Sequence, residues 1–199
     1  MSSNAHRVLS KSPTACAPPP HWPPHVRYIS EPHYHSSVPL QVRAHICPQS
    51  PSATHPSRSL TIIRRIVEPS HPAYGQFGLF AAKKIQPRVH IVDYVGEVHC
   101  DDRPQSDYDL SLLRTQDGLS VGVDAHSMGN EARFINDYRS INAKPNAVFE
   151  DRRTATGELR MSIWSGSESI KKGEEILVSY GKAWWHARTS PQTCELAAG

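Results

Sequence analysis

Four short segments in the last two-thirds of this 199-residue chain constrain its fold more than composition does. In chain order they are YGQFGLFA from Tyr74, DYVGE from Asp93, ARFIN from Ala132 and KGEEILVSYG from Lys172. They comprise a glycine-punctuated turn, an extended segment ending in Tyr-x-Gly-Glu, an Arg-Phe-Ile-Asn segment and a Gly-Glu-Glu strand ending in tyrosine. Each alone is a weak signal, whereas all four in this order and at plausible separations form a specific signature.

Together the four segments resemble the SET-domain protein lysine methyltransferases, and the resemblance covers the chain from about Leu60 to His186. It implies a mainly β domain with the SET-domain (β-clip) fold, made of small sheets with a C-terminal pseudoknot and few short helices. It also implies S-adenosyl-L-methionine as the cofactor. A pseudoknot runs against ordinary chain topology, so local sequence pattern cannot reveal it.

The first 59 residues differ in composition from the rest of the chain. Pro, His and Ser crowd this stretch, as in APPPHWPPHVRY, and no apolar period of 2 or 3.6 is sustained. Such a segment cannot bury enough apolar surface to offset its ordering entropy, so we predict that residues 1–59 form a disordered arm. The SET domain would then span residues 60–188, and residues 189–199 would form a flexible tail. Loose metal binding by the arm is a less favoured alternative, and it would use His21, His25, His33 and His35.

Charge and cysteine spacing exclude several classes of protein. The formal net charge of +3 permits contact with nucleic acid but does not argue for sequence-specific binding. No stretch of 18 or more apolar residues or signal-peptide core is present, so we expect a soluble intracellular protein without membrane contact. The four cysteines are too scattered for a zinc or disulfide framework, so we expect no metal.

Residues 60–180 show the pattern of short strands. DLSLLRT and LSVGVDA flank a turn at Gln116 to Gly118 and predict a hairpin. NAVFEDR and ELRMSIWS predict two strands that flank a turn at Thr156 and Gly157. LTIIRRIVE, HIVDYVGEVH and EEILVSY predict further strands. Short helices are predicted only at residues 129–136 and 183–188.

The resemblance assigns cofactor binding first to the glycine turn and to Asn136. Where the family usually has Gly-x-Gly, this chain has Gly75-Gln76-Phe77-Gly78, and the backbone of Phe77 and Gly78 would touch the methionine end of the cofactor. A plain strand-to-strand turn without a ligand is the alternative. Asn136 is the best single candidate, because its amide can accept from the ammonium of the cofactor and donate to its carboxylate.

Asp137 departs from the family pattern, which has histidine after the asparagine. Residues 138–144 also lengthen the loop that precedes the Pro-Asn pair. Asp137 can still supply backbone groups to adenine, and its carboxylate either tunes the site or marks a degenerate enzyme. Two interpretations of Arg133 and Phe134 are equally open. In the first, Arg133 is a buried donor and Phe134 is a core residue; in the second, both residues contact the cofactor.

Two tyrosines match the catalytic positions of the family. Tyr180 would lie near both the cofactor and the transferring methyl group and would orient the amine, with backbone carbonyls adding weak CH···O contacts. Tyr94 matches the second tyrosine of the substrate channel, although a lone strand tyrosine can also be an ordinary packing residue. An aromatic channel has a chemical role as well, because desolvation favours the neutral lysine amine that attacks.

Three further residues are assigned by their position relative to Tyr180. Val178 occupies a channel position where many family members have Phe or Tyr, and its smaller side chain predicts a product beyond monomethyl-lysine. Trp184 and Trp185 follow where the family's C-terminal flank folds over the site. We expect Trp184 on the adenine of the cofactor and Trp185 in the wall of the lysine channel.

The resemblance therefore implies a protein-lysine N-methyltransferase that binds a lysine-containing extended segment, with histone as the favoured substrate and with chromatin partners and a nuclear location. Two alternatives stay open. A non-histone substrate cannot be separated from histone by sequence. A catalytically weak SET module that binds cofactor or peptide in a chromatin assembly is suggested by Asp137 and the longer loop, and opposed by Tyr94, Asn136 and Tyr180.

Overall fold

The computed structural model describes residues 17–48 and 60–181, and within these ranges short strands predominate. The elements, in chain order, are β1 (Arg27–Tyr28), β2 (His33–Tyr34), α1 (Leu40–Ile46), β3 (Thr61–Arg65), β4 (Phe77–Ala81), β5 (His90–Asp93), β6 (Glu97–His99), β7 (Asp109–Arg114), β8 (Ser120–Asp124), β9 (Met128–Gly129), a 3-10 helix (Glu131–Phe134), β10 (Asn136–Asp137), β11 (Ala147–Arg153), β12 (Leu159–Ser165) and β13 (Leu177–Val178). The prediction of a mainly β fold is confirmed. The helix predicted at residues 129–136 is the 3-10 helix, and the one predicted at 183–188 lies outside the described residues.

Residues 17–48 form regular elements, so the prediction of a disordered arm is wrong for this stretch. β1 pairs in parallel with β9, and β2 pairs in parallel with β6. These strands satisfy their backbone groups on the domain, while Val26, Val38 and Ile46 become buried. The segment therefore needs no apolar period of its own. Residues 1–16 and 49–59, which were also predicted as arm, and the predicted tail at 189–199 lie outside the described residues.

The histidines of residues 17–48 contact the domain. His33 Nδ1 lies 3.2 Å from Glu97 Oε1, and His35 Nδ1 lies 3.3 Å from Asp101 Oδ1. In the part of the chain that the structure describes, no group of three or more His, Cys, Asp or Glu side chains could hold a metal ion. Helix α1 has only seven residues, and none of the described helices is long and apolar enough to cross a membrane.

The predicted hairpin forms as the antiparallel pair β7–β8, and the two strands predicted around Thr156 and Gly157 also pair antiparallel, as β11–β12. Their turns contain Gly118 at φ 89° and Gly157 at φ 82°, values that glycine adopts without steric cost. β7 and β8 belong to a sheet of order β2-β6-β8-β7, and β11 and β12 to one of order β11-β12-β5. The core that the sheets share is aliphatic and includes the buried side chains of Ile63, Leu79, Val121, Ile163 and Ile176.

The C-terminal strand connects two of the four sequence segments. β13 pairs in parallel with β10, with Asn136 opposite Leu177 and Asp137 opposite Val178. Just before β13, the N–H of Ile176 donates to the carbonyl of Leu79 in β4 at 2.8 Å. The segment from residue 173 to 178 thus runs between β4 and β10, as expected for the predicted pseudoknot. This crossing places the end of the GEEILVSY segment beside ARFIN.

A buried cluster of charged side chains fastens residues 17–48 to the domain. Arg160 Nε donates to Glu158 Oε2 at 2.7 Å, and Arg160 Nη2 also donates to Glu31. The Tyr34 hydroxyl donates to the second oxygen of Glu158 at 3.0 Å. Glu158 is only 1% exposed. Since a buried charge is stable only when it is paired and hydrogen-bonded, this cluster makes the N-terminal stretch an integral part of the fold.

Candidate active site

A cavity of about 640 Å³ lies where the four sequence segments meet. Its walls come from residues 71–77, from the 3-10 helix and β10, from residues 107–110, and from the chain after β5 and β13. The structure brings eight of the predicted site residues to this cavity, namely Gly75, Phe77, Tyr94, Arg133, Phe134, Asn136, Asp137 and Tyr180.

Two predicted site residues do not line this cavity. A Cβ atom added to Gly78 would lie 2.6 Å from Glu175 Oε1, so any larger residue at this position would displace the Glu175 side chain. Val178 is fully buried in the core and is not among the residues that line the cavity. Its role in the channel and the product prediction that depends on this position stay predictions. Trp184 and Trp185 lie outside the described residues.

Tyr180 is held at the cavity by two hydrogen bonds. Its backbone N–H donates to Asp137 Oδ2 at 2.8 Å, and its hydroxyl donates to the carbonyl of Ile135 at 2.7 Å. Burial, together with the negative charge of Asp137, raises the pKa of Tyr180 well above its usual value. The phenol therefore stays protonated at neutral pH and can act as a hydrogen-bonding group but not as an ionised base.

Tyr94 and its neighbours make one end of the cavity aromatic. The Tyr94 hydroxyl donates to the carbonyl of Tyr108 at 2.8 Å, and the Phe149 ring packs edge-on to Tyr94 at 6.1 Å. Burial is the main reason that the pKa of Tyr94 is raised well above its usual value. Arg133 places its guanidinium 4.1 Å from the centre of the Tyr108 ring and donates to the carbonyl of Ala125 at 3.0 Å. Arg133 thus supports the aromatic end while it also lines the cavity.

Asn136 is oriented by a buried carboxylate. Its Nδ2 donates to Glu175 Oε1 at 2.8 Å, and the other oxygen of Glu175 lies 3.0 Å from His71 Nε2. Glu175 and His71 are both nearly inaccessible to solvent. Because the amide nitrogen is used in this contact, the amide oxygen of Asn136 is the group that can accept a hydrogen bond from a cationic ligand.

Asp137 connects β10 to Tyr180. Its carboxylate accepts from the Tyr180 N–H, from the Arg139 N–H at 2.9 Å and from Arg139 Nη1 at 2.8 Å. The sequence allows two interpretations of the Asp137 side chain: it tunes the site, or it marks a degenerate enzyme. Its contacts favour the first interpretation, since they place Tyr180 rather than disrupt it.

Several residues that line the cavity were missed from the sequence. Tyr108 and Phe149 belong to or adjoin predicted strands, so the alternation of side chains along those strands could have identified them. His71 lies outside the four segments and has no distinguishing pattern. Pro23 and His25 come from the stretch predicted to be disordered, and no local signal marks them as part of the cavity.

Comparison with known proteins identifies the family. The model of the SET domain family matches residues 76–181, which is more than half of the chain. This protein therefore belongs to the SET domain family. The matched range contains β4 to β13 and most of the residues that line the cavity.

Individual relatives match over a similar range. The chain is 30% identical over 124 residues to the human histone-lysine N-methyltransferase EHMT1, covering 59% of this chain and 9% of that protein. It is 30% identical over 125 residues to the H3 lysine-36 specific histone-lysine N-methyltransferase of Gibberella zeae, covering 59% of this chain and 13% of that protein. The chain thus spans only a small part of the length of these relatives. A crystal structure of the Chaetomium thermophilum polycomb repressive complex 2 matches 63% of this chain and 16% of the other chain, at 26% identity and a TM-score of 0.48.

Proposed function

We propose that this protein is an S-adenosyl-L-methionine-dependent protein-lysine N-methyltransferase. The observation that carries the proposal is the meeting of Asn136, Tyr94 and a buried, protonated Tyr180 around one cavity. Membership of the SET domain family supports it, as do two relatives whose names describe them as histone-lysine N-methyltransferases.

The residues around Asn136 fit the cofactor. The amide oxygen of Asn136 is suited to the ammonium group of the methionine end, and the Glu175 carboxylate adds negative charge beside it. Phe77 and Phe134 supply apolar surface, and the backbone of Asp137 offers hydrogen-bonding groups for adenine. When bound, S-adenosyl-L-methionine supplies an electrophilic methyl group on a sulfonium.

The aromatic end of the cavity fits the side chain of a substrate lysine. The lysine amine must be neutral to attack, and its unperturbed pKa of about 10.4 leaves roughly one molecule in a thousand neutral at pH 7. Tyr94, Tyr108 and Phe149 form an apolar wall that favours the neutral amine by desolvation. The hydroxyl of Tyr180 and the carbonyl of Ile135 then orient the amine nitrogen along the line of displacement.

We propose histone as the substrate class, with chromatin partners and a nuclear location, because both relatives named above are histone-lysine N-methyltransferases. The alternative of a weak binding module was suggested by Asp137 as a sign of degeneracy and by the longer loop that follows it. The hydrogen bond from the Tyr180 N–H to Asp137 removes much of that support.

The Asn136→Ala variant is expected to bind S-adenosyl-L-methionine about tenfold to a hundredfold more weakly than the parent, because a hydrogen bond to a charged group contributes about 1.5–3 kcal/mol. Calorimetric titration of the full chain measures this affinity. Asn142→Ala, in the exposed loop after β10, is the matched control and should bind like the parent. Equal affinities in all three proteins, or no binding by the parent, would contradict the proposed site.

A further inference from the structure

Residues 19–28 close one side of the cavity. Pro23 and His25 line it directly. We infer that this segment, through Trp22 and His25, is a structural wall of the cofactor site and takes part in holding the cofactor. The identity of the ligand in this inference rests on the proposed function, whereas the assignment of the segment as a wall rests on side-chain and backbone contacts within the protein.

Trp22 is at the centre of an aromatic cluster that reaches the cavity. Its ring lies 5.7 Å from the Phe134 ring at an interplanar angle of 85°, and 5.0 Å from the Tyr28 ring at 78°. The Phe134 ring lies 6.1 Å from Phe77 at 72°. Edge-to-face packing of this kind is favourable beyond the burial of surface. Since Phe134 and Phe77 both line the cavity, Trp22 supports from behind the surface that a ligand would contact.

The segment is held in a defined conformation. Trp22 Nε1 donates to the carbonyl of Val26 at 2.6 Å, and Val26 itself is buried. The next two residues form β1, which pairs with β9. The Tyr28 hydroxyl donates to Glu131 Oε2 at 3.3 Å, in the 3-10 helix that carries Phe134. Trp22 therefore contacts the 3-10 helix through the Phe134 ring, and Tyr28 is joined to the same helix by its hydrogen bond to Glu131.

His25 and Pro23 border the same space as Asn136 and Phe77. The chain leading to them is turned tightly, because the N–H of Trp22 donates to the carbonyl of Pro19 at 3.3 Å and the N–H of Val26 donates to that of Pro23 at 3.2 Å. The two prolines restrict their own backbone angles. A wall held in this way loses little conformational entropy when a ligand binds against it.

The experiment compares four variants of the full chain with the parent: Trp22→Ala, Trp22→Phe, His25→Ala and Leu40→Ala. Leu40 is 80% exposed in α1 and is the control within the same N-terminal stretch. Two properties are measured, namely the affinity for S-adenosyl-L-methionine by calorimetry and the hydrogen exchange of residues 131–137 without ligand. The second readout does not depend on any activity.

We expect Trp22→Ala to bind about tenfold more weakly and to exchange faster at residues 131–137. Trp22→Phe should recover most of the affinity, His25→Ala should bind roughly threefold more weakly, and Leu40→Ala should match the parent. Parental affinity and parental exchange in Trp22→Ala would overturn the inference, as would equal losses in Leu40→Ala. If the parent does not bind the cofactor, the proposed function fails, and the exchange of residues 131–137 alone decides whether the segment forms the wall.

Discussion

The Tyr180→Phe variant is expected to transfer methyl groups at least about 100-fold more slowly than the parent, while its affinity for S-adenosyl-L-methionine stays within about twofold. The change removes only the hydroxyl, which donates to the carbonyl of Ile135 at 2.7 Å. The backbone hydrogen bond from Tyr180 to Asp137 remains, so the cofactor side of the cavity should keep its shape. The loss therefore falls on the orientation of the amine in the transition state.

Single-turnover rates with saturating cofactor measure the chemical step, and calorimetry measures the affinity. Tyr74→Phe is the matched control, because Tyr74 is 57% exposed and adjoins the glycine turn at the edge of the cavity. It should behave like the parent in both assays. A Tyr180→Phe protein that keeps its rate would remove Tyr180 from the catalytic group, and one that loses cofactor binding to the same extent as rate would indicate a structural role instead.

The Arg160→Ala variant is expected to lower the free energy of unfolding by about 3–5 kcal/mol. Arg160 is the charged partner of Glu158, which is 1% exposed, and it also contacts Glu31 from the N-terminal stretch. Without the guanidinium, the Glu158 carboxylate stays buried and loses its charged partner, although it keeps the hydrogen bond from the Tyr34 hydroxyl. An uncompensated buried charge is among the most costly changes a fold can undergo.

Chemical denaturation of the parent and of the Arg160→Ala variant measures this difference in stability as a shift in the unfolding midpoint. Lys144→Ala breaks the ion pair with Glu168, in which both side chains are mostly exposed, and should leave the midpoint unchanged. A second comparison replaces Arg160 by Met and Glu158 by Leu together, which should recover part of the loss because the Glu158 charge is then no longer buried without its partner. An Arg160→Ala midpoint equal to that of Lys144→Ala would show that the cluster does not stabilise the fold.

Local sequence pattern predicted the four strands β7, β8, β11 and β12, because each pairs with a neighbour in sequence across a short turn. The turns contain Gly118 and Gly157, and β7 and β8 form the predicted hairpin while β11 and β12 form a second one. β1 and β2 are the opposite case, because each has only two residues and pairs with a strand far away in the chain. Composition alone therefore indicated disorder where tertiary pairing produces order.

The candidate site shows the same contrast between features that the sequence indicates and features that depend on contacts between distant segments. The family resemblance carried by the four segments implied which residues meet, including Asn136 and Tyr180, and the crossing of β13 beside β10 brings them together. The contact from Asn136 to Glu175 and the packing of Trp22 on Phe134 depend on side-chain geometry across that crossing. Val178 shows the remaining difficulty, because its position relative to Tyr180 does not determine which way its side chain faces.

The central claim is lysine methylation, and it is tested most directly by mass spectrometry of mixed core histones after incubation with the full chain and S-adenosyl-L-methionine that carries deuterated methyl groups. We expect deuterated methyl groups on lysine with the parent protein and their near absence with Tyr180→Phe. A parent protein that leaves every histone lysine unlabelled would contradict it.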